Sequence, residues 1–173
     1  MDERIQRAVG ALTMAIRIEQ NGYRFYRRAA AETSDPEARE LFEGLAEDEV
    51  AHERMLKRRL ETLERDGTWT PVGDEEWPAE GPGLGGEAVF SSERLDEGMY
   101  DYTSELSALR MAYLIEKNAV EFYAKAARET DDPVGQQMYE DLADWEREHQ
   151  RVLEDEYRFL ADRFKLDMGF APF

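Results

Sequence analysis

The chain contains no cysteine, which excludes disulfides, thiolate zinc sites and cysteine-ligated iron–sulfur clusters together. Basic residues are few relative to acids: 22 Lys and Arg stand against 40 Asp and Glu, a formal charge of −18. A surface of that sign repels phosphates, which argues against nucleic acid as a partner and favours cations, metal ions among them. Long hydrophobic runs are also missing. None approaches the roughly 18 residues that cross a bilayer, so no membrane partner is expected. The opening MDERIQRAVG has no continuous apolar stretch of the kind a secretion signal carries, and the expected location is the cytoplasm. At 173 residues the chain is long enough for one domain with a sizeable core.

What is present is helical periodicity. Apolar residues recur at helix spacing from about Ile5 to Ala31, with Ile5, Leu12, Ile16, Tyr23 and Tyr26 on one face. TSDPEAR breaks the pattern at 33–39, where Ser34 or Asp35 can cap a second helix with Pro36 at its first position. That helix is expected to reach about Arg65. Gly and Pro then crowd residues 66–93, which cannot be regular helix. A third helix follows, beginning at Glu93 or later and running to Arg128; TDDP repeats the break, and a fourth runs from about Pro133 to Phe164. The expected organisation is a single domain: a hairpin over 3–65, a strap over 66–93, a second hairpin over 94–164 and a tail over 165–173.

The second hairpin repeats the first. With an offset of 97 and no gaps, residues 14–54 align on 111–151 with 19 of 41 positions identical. Two copies of one helical hairpin predict an all-α fold, a four-helix bundle with an approximate internal two-fold axis. If that axis lies across the helices, the strap must run the length of the bundle, roughly 30–45 Å for helices of about 20–30 residues.

The repeat also aligns chemistry. Glu19 lies 14 residues before Thr33, and Glu49 lies 13 after Pro36; the counts from Glu116 to Thr130 and from Pro133 to Glu146 are the same. At about 1.5 Å per residue each pair of glutamates sits at one depth. His52 and His149 follow their glutamates by three positions, on the same helix face. Glu19, Glu49, His52, Glu116, Glu146 and His149 should therefore converge in one layer of the core. Four carboxylates there would repel one another and lose hydration, and two divalent cations would neutralise them. One Glu from each of two helices, with Glu-x-x-His from the other two, is the ligand pattern of di-iron and di-manganese carboxylate bundles. A bundle that keeps these residues as a polar core is the alternative. Tyr26 and Tyr123 are core residues whose hydroxyls can also reach a ligand carboxylate. Glu47, Asp48, Glu53, Glu121 and Glu148 read as surface charge, with an outer hydrogen-bonding role open for Asp48 and Glu121. Trp145 replaces Asp48 in the second copy.

AIRIEQNGYRFYRRAAAETSDPEARELFEGLAEDEVAH and its counterpart LIEKNAVEFYAKAARETDDPVGQQMYEDLADWEREH resemble the rubrerythrin family of the ferritin-like superfamily. The resemblance covers both hairpins and implies a ferritin-like four-helix bundle. It also implies two iron ions, with manganese as the alternative, held by the six residues named above, Glu49 and Glu146 bridging. It further implies an oxidoreductase that answers oxidative stress by reducing hydrogen peroxide or dioxygen. Rubrerythrins commonly carry a cysteine-ligated rubredoxin domain; this chain has none, so an external electron donor is expected. They also carry a further glutamate where this chain has Ala119, whose first-copy counterpart is Gly22; small residues there leave room for a dioxygen-sized ligand. The second functional reading is a ferroxidase that stores or delivers iron. Oxygenation of an organic substrate and a purely structural bundle are two more. No fifth helix is evident after residue 165, which argues against a 24-subunit cage, and the apolar tail FKLDMGFAPF can dock on its own bundle or in a homodimer.

Overall fold

The computed structural model describes residues 3–71, 73 and 102–169. Among the described residues the regular structure consists of four helices: α1 Glu3–Glu32, α2 Pro36–Asp66, α3 Tyr102–Glu129 and α4 Pro133–Asp167. Both hairpin turns are built alike. Asp35 caps α2, its carboxylate accepting from the Glu37 and Ala38 amides at 2.7 and 3.0 Å, with Pro36 opening the helix. Asp132 does the same for α4, accepting from the Val134 amide at 2.8 Å ahead of Pro133. A proline at the first position lacks only an N–H that would have no helical partner, and an aspartate cap satisfies the next donors. Gly67 stops α2: its φ of 69° is left-handed, and its N–H reaches the Leu63 carbonyl at 2.9 Å.

α1 packs along α2, α3 along α4, and α1 against α3. The core falls into two apolar clusters. One gathers Tyr26, Phe42, Leu45, Leu109, Ala112 and Leu153; the other gathers Leu12, Ala15, Leu56, Tyr123, Tyr139 and Leu142. Each of the six named residues of the first has its repeat partner, 97 positions away, among those of the second. The two clusters are thus the two ends of a pseudo-symmetric bundle, and the polar layer lies between them. The axis does run across the helices. The end of α2 lies by the α3–α4 turn, where Trp69 packs edge-on against Tyr139 at 6.0 Å. α3 begins by the opposite turn, where the Thr33 hydroxyl donates to Glu105. The chain between α2 and α3 therefore joins opposite ends of the bundle. Its course over 74–101 lies outside the described residues, as does the expected third-helix start before Tyr102.

Two expectations need correction. α4 continues past Phe164 to Asp167, so the first residues of the expected tail are helical. Tyr102 explains the extra turn: its ring packs on Phe164 at 5.5 Å and its hydroxyl donates to Asp167. Of the two capping candidates, Asp35 rather than Ser34 takes the position. Tyr23 does not join the core stripe but is 38 % exposed. No described helix is long and apolar enough to cross a membrane.

Candidate metal centre

Glu19 on α1, Glu49 and His52 on α2, Glu116 on α3, and Glu146 and His149 on α4 meet in the middle layer. None is more than 3 % exposed. They form two overlapping groups, Glu19–Glu49–His52–Glu146 and Glu49–Glu116–Glu146–His149, each with its potential ligand atoms within 4.8 Å of one another. Glu49 and Glu146 belong to both. Glu146 faces both imidazoles, with Oε1 3.2 Å from His52 Nδ1 and Oε2 3.0 Å from His149 Nδ1. Glu19 Oε2 approaches His52 Nδ1 at 3.3 Å, and Glu116 Oε1 approaches His149 Nδ1 at 3.7 Å. The imidazole rings lie nearly parallel, 6.0 Å apart.

The tyrosines cross the axis. Tyr26, of the first hairpin, donates to Glu116 Oε1 in the second, and Tyr123 donates to Glu19 Oε1 in the first. Each hydroxyl pins one carboxylate oxygen and leaves the other, Glu116 Oε2 or Glu19 Oε2, without a hydrogen-bond partner. Both oxygens of Glu146 and Nδ1 of His149 are likewise buried with no such partner. Most of these atoms face an opposite group at ion-pair distance without an aligned hydrogen bond. Buried polar atoms without hydrogen bonds are costly and rare in folded proteins, and five gathered in one layer require an explanation. All are hard oxygen or imidazole donors, a set suited to divalent iron, manganese or zinc. The residues present fit a metal centre.

Without a cation the cluster balances its charge with protons. Burial, reinforced by Glu19 and Glu146, pushes the Glu49 carboxyl well above its ordinary range. Burial and then the neighbouring Glu146 charge raise Glu116 to about 8. Burial would lower His52, but Glu146 and Glu19 outweigh it and raise the imidazole to about 10. His149 is raised in the same way against burial, by Asp48, Glu116 and Glu146. Burial alone would raise Glu146, but the two imidazoles hold it below the usual carboxylate range. Tyr26 and Tyr123, pushed up by burial and by the carboxylates they face, remain hydroxyl donors.

Two neighbours of the cluster differ from the leading expectation. Asp48, read as surface charge with an outer hydrogen-bonding role open, takes that role: it is 8 % exposed, and its Oδ2 lies 3.2 Å from His149 Nε2. Its spacing held the signal: Leu41, Leu45, Asp48 and His52 fall on one helical stripe. The room expected beside Gly22 is not open, because the Glu49 carboxylate fills it. A Cβ on Gly22 would meet Glu49 Oε1 and stand 2.7 Å from its Cδ. Gly22→Ala should therefore push the Glu49 carboxylate aside while sparing the fold, since alanine favours helix over glycine by about 1 kcal/mol. The expected result is at least about tenfold weaker Mn²⁺ binding in a protein whose metal-free melting temperature is unchanged or higher. Glu47, Glu121 and Glu148 are exposed, as expected for surface charge. Glu53 is half-buried, accepting from Gln20 and pairing with Lys57, both at 2.7 Å.

No curated protein and no solved structure matches this chain. A family model described as a ferritin-like domain matches residues 7–157, a span that takes in both hairpins and all six of the clustered Glu and His residues. A four-helix bundle with a buried carboxylate and imidazole layer, matched over most of its length, places the chain in the ferritin-like domain family.

Proposed function

We propose that the protein is a di-iron oxidoreductase of rubrerythrin type, reducing hydrogen peroxide or dioxygen with electrons from an external donor. The observation that supports this reading best is the pair of buried clusters sharing Glu49 and Glu146. In this reading Glu19 and His52 would hold one ion, Glu116 and His149 would hold the other, and Glu49 and Glu146, which belong to both groups, would serve both. Four carboxylates and two neutral imidazoles then balance two divalent cations without the stored protons. Two ferrous ions bound there would supply the two electrons that, with two protons, convert hydrogen peroxide to two waters. The chain's own part is to hold and shield. Tyr26 and Tyr123 fix Glu116 and Glu19 by one oxygen, and Gly22 lets Glu49 lie against the α1 backbone. The apolar clusters on either side keep bulk water from the layer. Stopped-flow mixing of the reduced, iron-loaded protein with hydrogen peroxide should show oxidation faster than that of free ferrous iron in the same buffer. An equal rate would overturn the proposal.

The charge of −18 favours a second reading, a ferroxidase that draws in Fe²⁺ for storage or delivery. Iron loading separates the two. Uptake that stops near two per chain supports the oxidoreductase, and hundreds per particle would support storage.

A further inference from the structure

The two halves of the centre differ in what stands behind their imidazoles. Asp48 and Trp145 occupy equivalent positions of the repeat, each immediately before a shared glutamate. Asp48 Oδ2 lies 3.2 Å from His149 Nε2, while Nδ1 of the same ring faces Glu146 and Glu116 at 3.0 and 3.7 Å. Across the axis, Trp145 sets its ring edge-on to His52, with centroids 5.9 Å apart and planes at 70°. An indole offers an N–H donor and no acceptor, so position 145 cannot give His52 what Asp48 gives His149.

That difference bears directly on cation affinity. A carboxylate accepting from Nε2–H fixes the tautomer that leaves Nδ1 free to bind, holds the ring plane and raises the basicity of Nδ1. Asp48 also brings one more negative charge to the His149 side, in a layer shielded from water where charge acts strongly. The aromatic ring behind His52 brings no such charge. We infer that the two cation positions are unequal, and that the one held by His149 and backed by Asp48 fills first. Asp48 is then a positioning residue for one half of the centre only. The inference rests on the metal-centre reading above, and adds an order of loading that the repeat alone, with its identical ligands, does not suggest.

Single-histidine variants isolate the two positions, and Mn²⁺ is a suitable probe because its free ion is counted directly by electron paramagnetic resonance. His52→Ala keeps the Asp48-backed position and should bind its ion at least about tenfold more tightly than His149→Ala. Adding Asp48→Asn, which keeps the shape and removes the charge, should weaken the His52→Ala protein by about 10–100-fold. The same change in the His149→Ala protein should alter affinity by no more than about threefold, because its effect runs through His149. Equal weakening in both backgrounds, or in neither, would overturn the inference, and so would equal affinities of the two single-histidine proteins. Wild-type protein that binds no Mn²⁺, Co²⁺ or Fe²⁺ would instead overturn the metal-centre reading, a result distinct from two ions bound without preference.

Discussion

Glu146→Ala should empty both proposed cation positions at once, whereas Glu19→Ala and Glu116→Ala should each weaken one and spare the other. The asymmetry follows from where the oxygens point. Glu146 turns one oxygen toward His52 and the other toward His149, and it belongs to both clusters. Glu19 belongs only to the His52 group and Glu116 only to the His149 group. Removing one partner of a buried charge pair costs about 3–5 kcal/mol, or roughly two to four orders of magnitude in affinity. For Glu146→Ala that loss should appear in both steps of a Mn²⁺ titration; for Glu116→Ala it should appear in one. Retention of one ion at wild-type affinity by Glu146→Ala would show that this carboxylate does not bridge. Glu49→Ala should behave as Glu146→Ala does, since Glu49 is the other shared residue.

The second large effect is a pH-dependent gap in melting temperature between metal-loaded and metal-free protein. In the metal-free state Glu116 titrates at about 8 rather than near 4.5, and His52 at about 10 rather than 6.5. Glu49 and His149 move in the same direction. The native state therefore holds more protons than the unfolded chain between about pH 5 and 10, and stability falls as pH rises through that window. The contribution of His52 is complete below pH 6.5 and is lost as pH climbs through about 10. For Glu116 the loss runs from about 4.5 to 8. Glu146, held low, acts in the opposite sense, its contribution being lost only as pH falls below the ordinary carboxylate range. Cations reverse the slope, because they displace the protons that a rising pH removes. One ion at a thousand times its dissociation constant adds about 4 kcal/mol, and each kcal/mol moves the midpoint of a chain this size by about 2–4 °C. Thermal melts with Mn²⁺ and with chelator should differ by about 10–30 °C at pH 8 and by much less at pH 5. A midpoint indifferent to metal at pH 8, or a gap that narrows as pH rises, would contradict the account.

Much of this is legible in the sequence because it rests on fixed helix geometry. Glu19 and Glu49 meet because a rise per residue and a turn marked by Asp35 and Pro36 leave them no other depth. The reciprocal positions of Tyr26 and Tyr123 follow from the same repeat. What stayed undecided was information carried across the bundle. Asp48 sits among Glu47, Glu49 and Glu53, so a solvated acid and an outer hydrogen-bonding partner read alike until a histidine 101 positions later is placed beside it. Gly22 reads as empty space because a glycine does not declare which side chain lies against it; here Glu49 does. Tyr23 stands at the margin of its stripe, where a few degrees of helix rotation decide between core and solvent. The last turn of α4 depends on Tyr102, a residue of a different helix.

The joining of the two hairpins in one chain has a consequence of its own. Two separate, identical hairpins could assemble the same six donors, but every substitution would then appear on both sides of the axis, and assembly would depend on concentration. A single covalent chain removes both constraints. It lets Phe42 stand where the other half has Tyr139, and Asp48 where the other half has Trp145. An indole introduced opposite itself in a homodimer would have displaced the aspartate behind both histidines at once. Fusion is what allows a centre assembled from duplicated parts to acquire a front and a back.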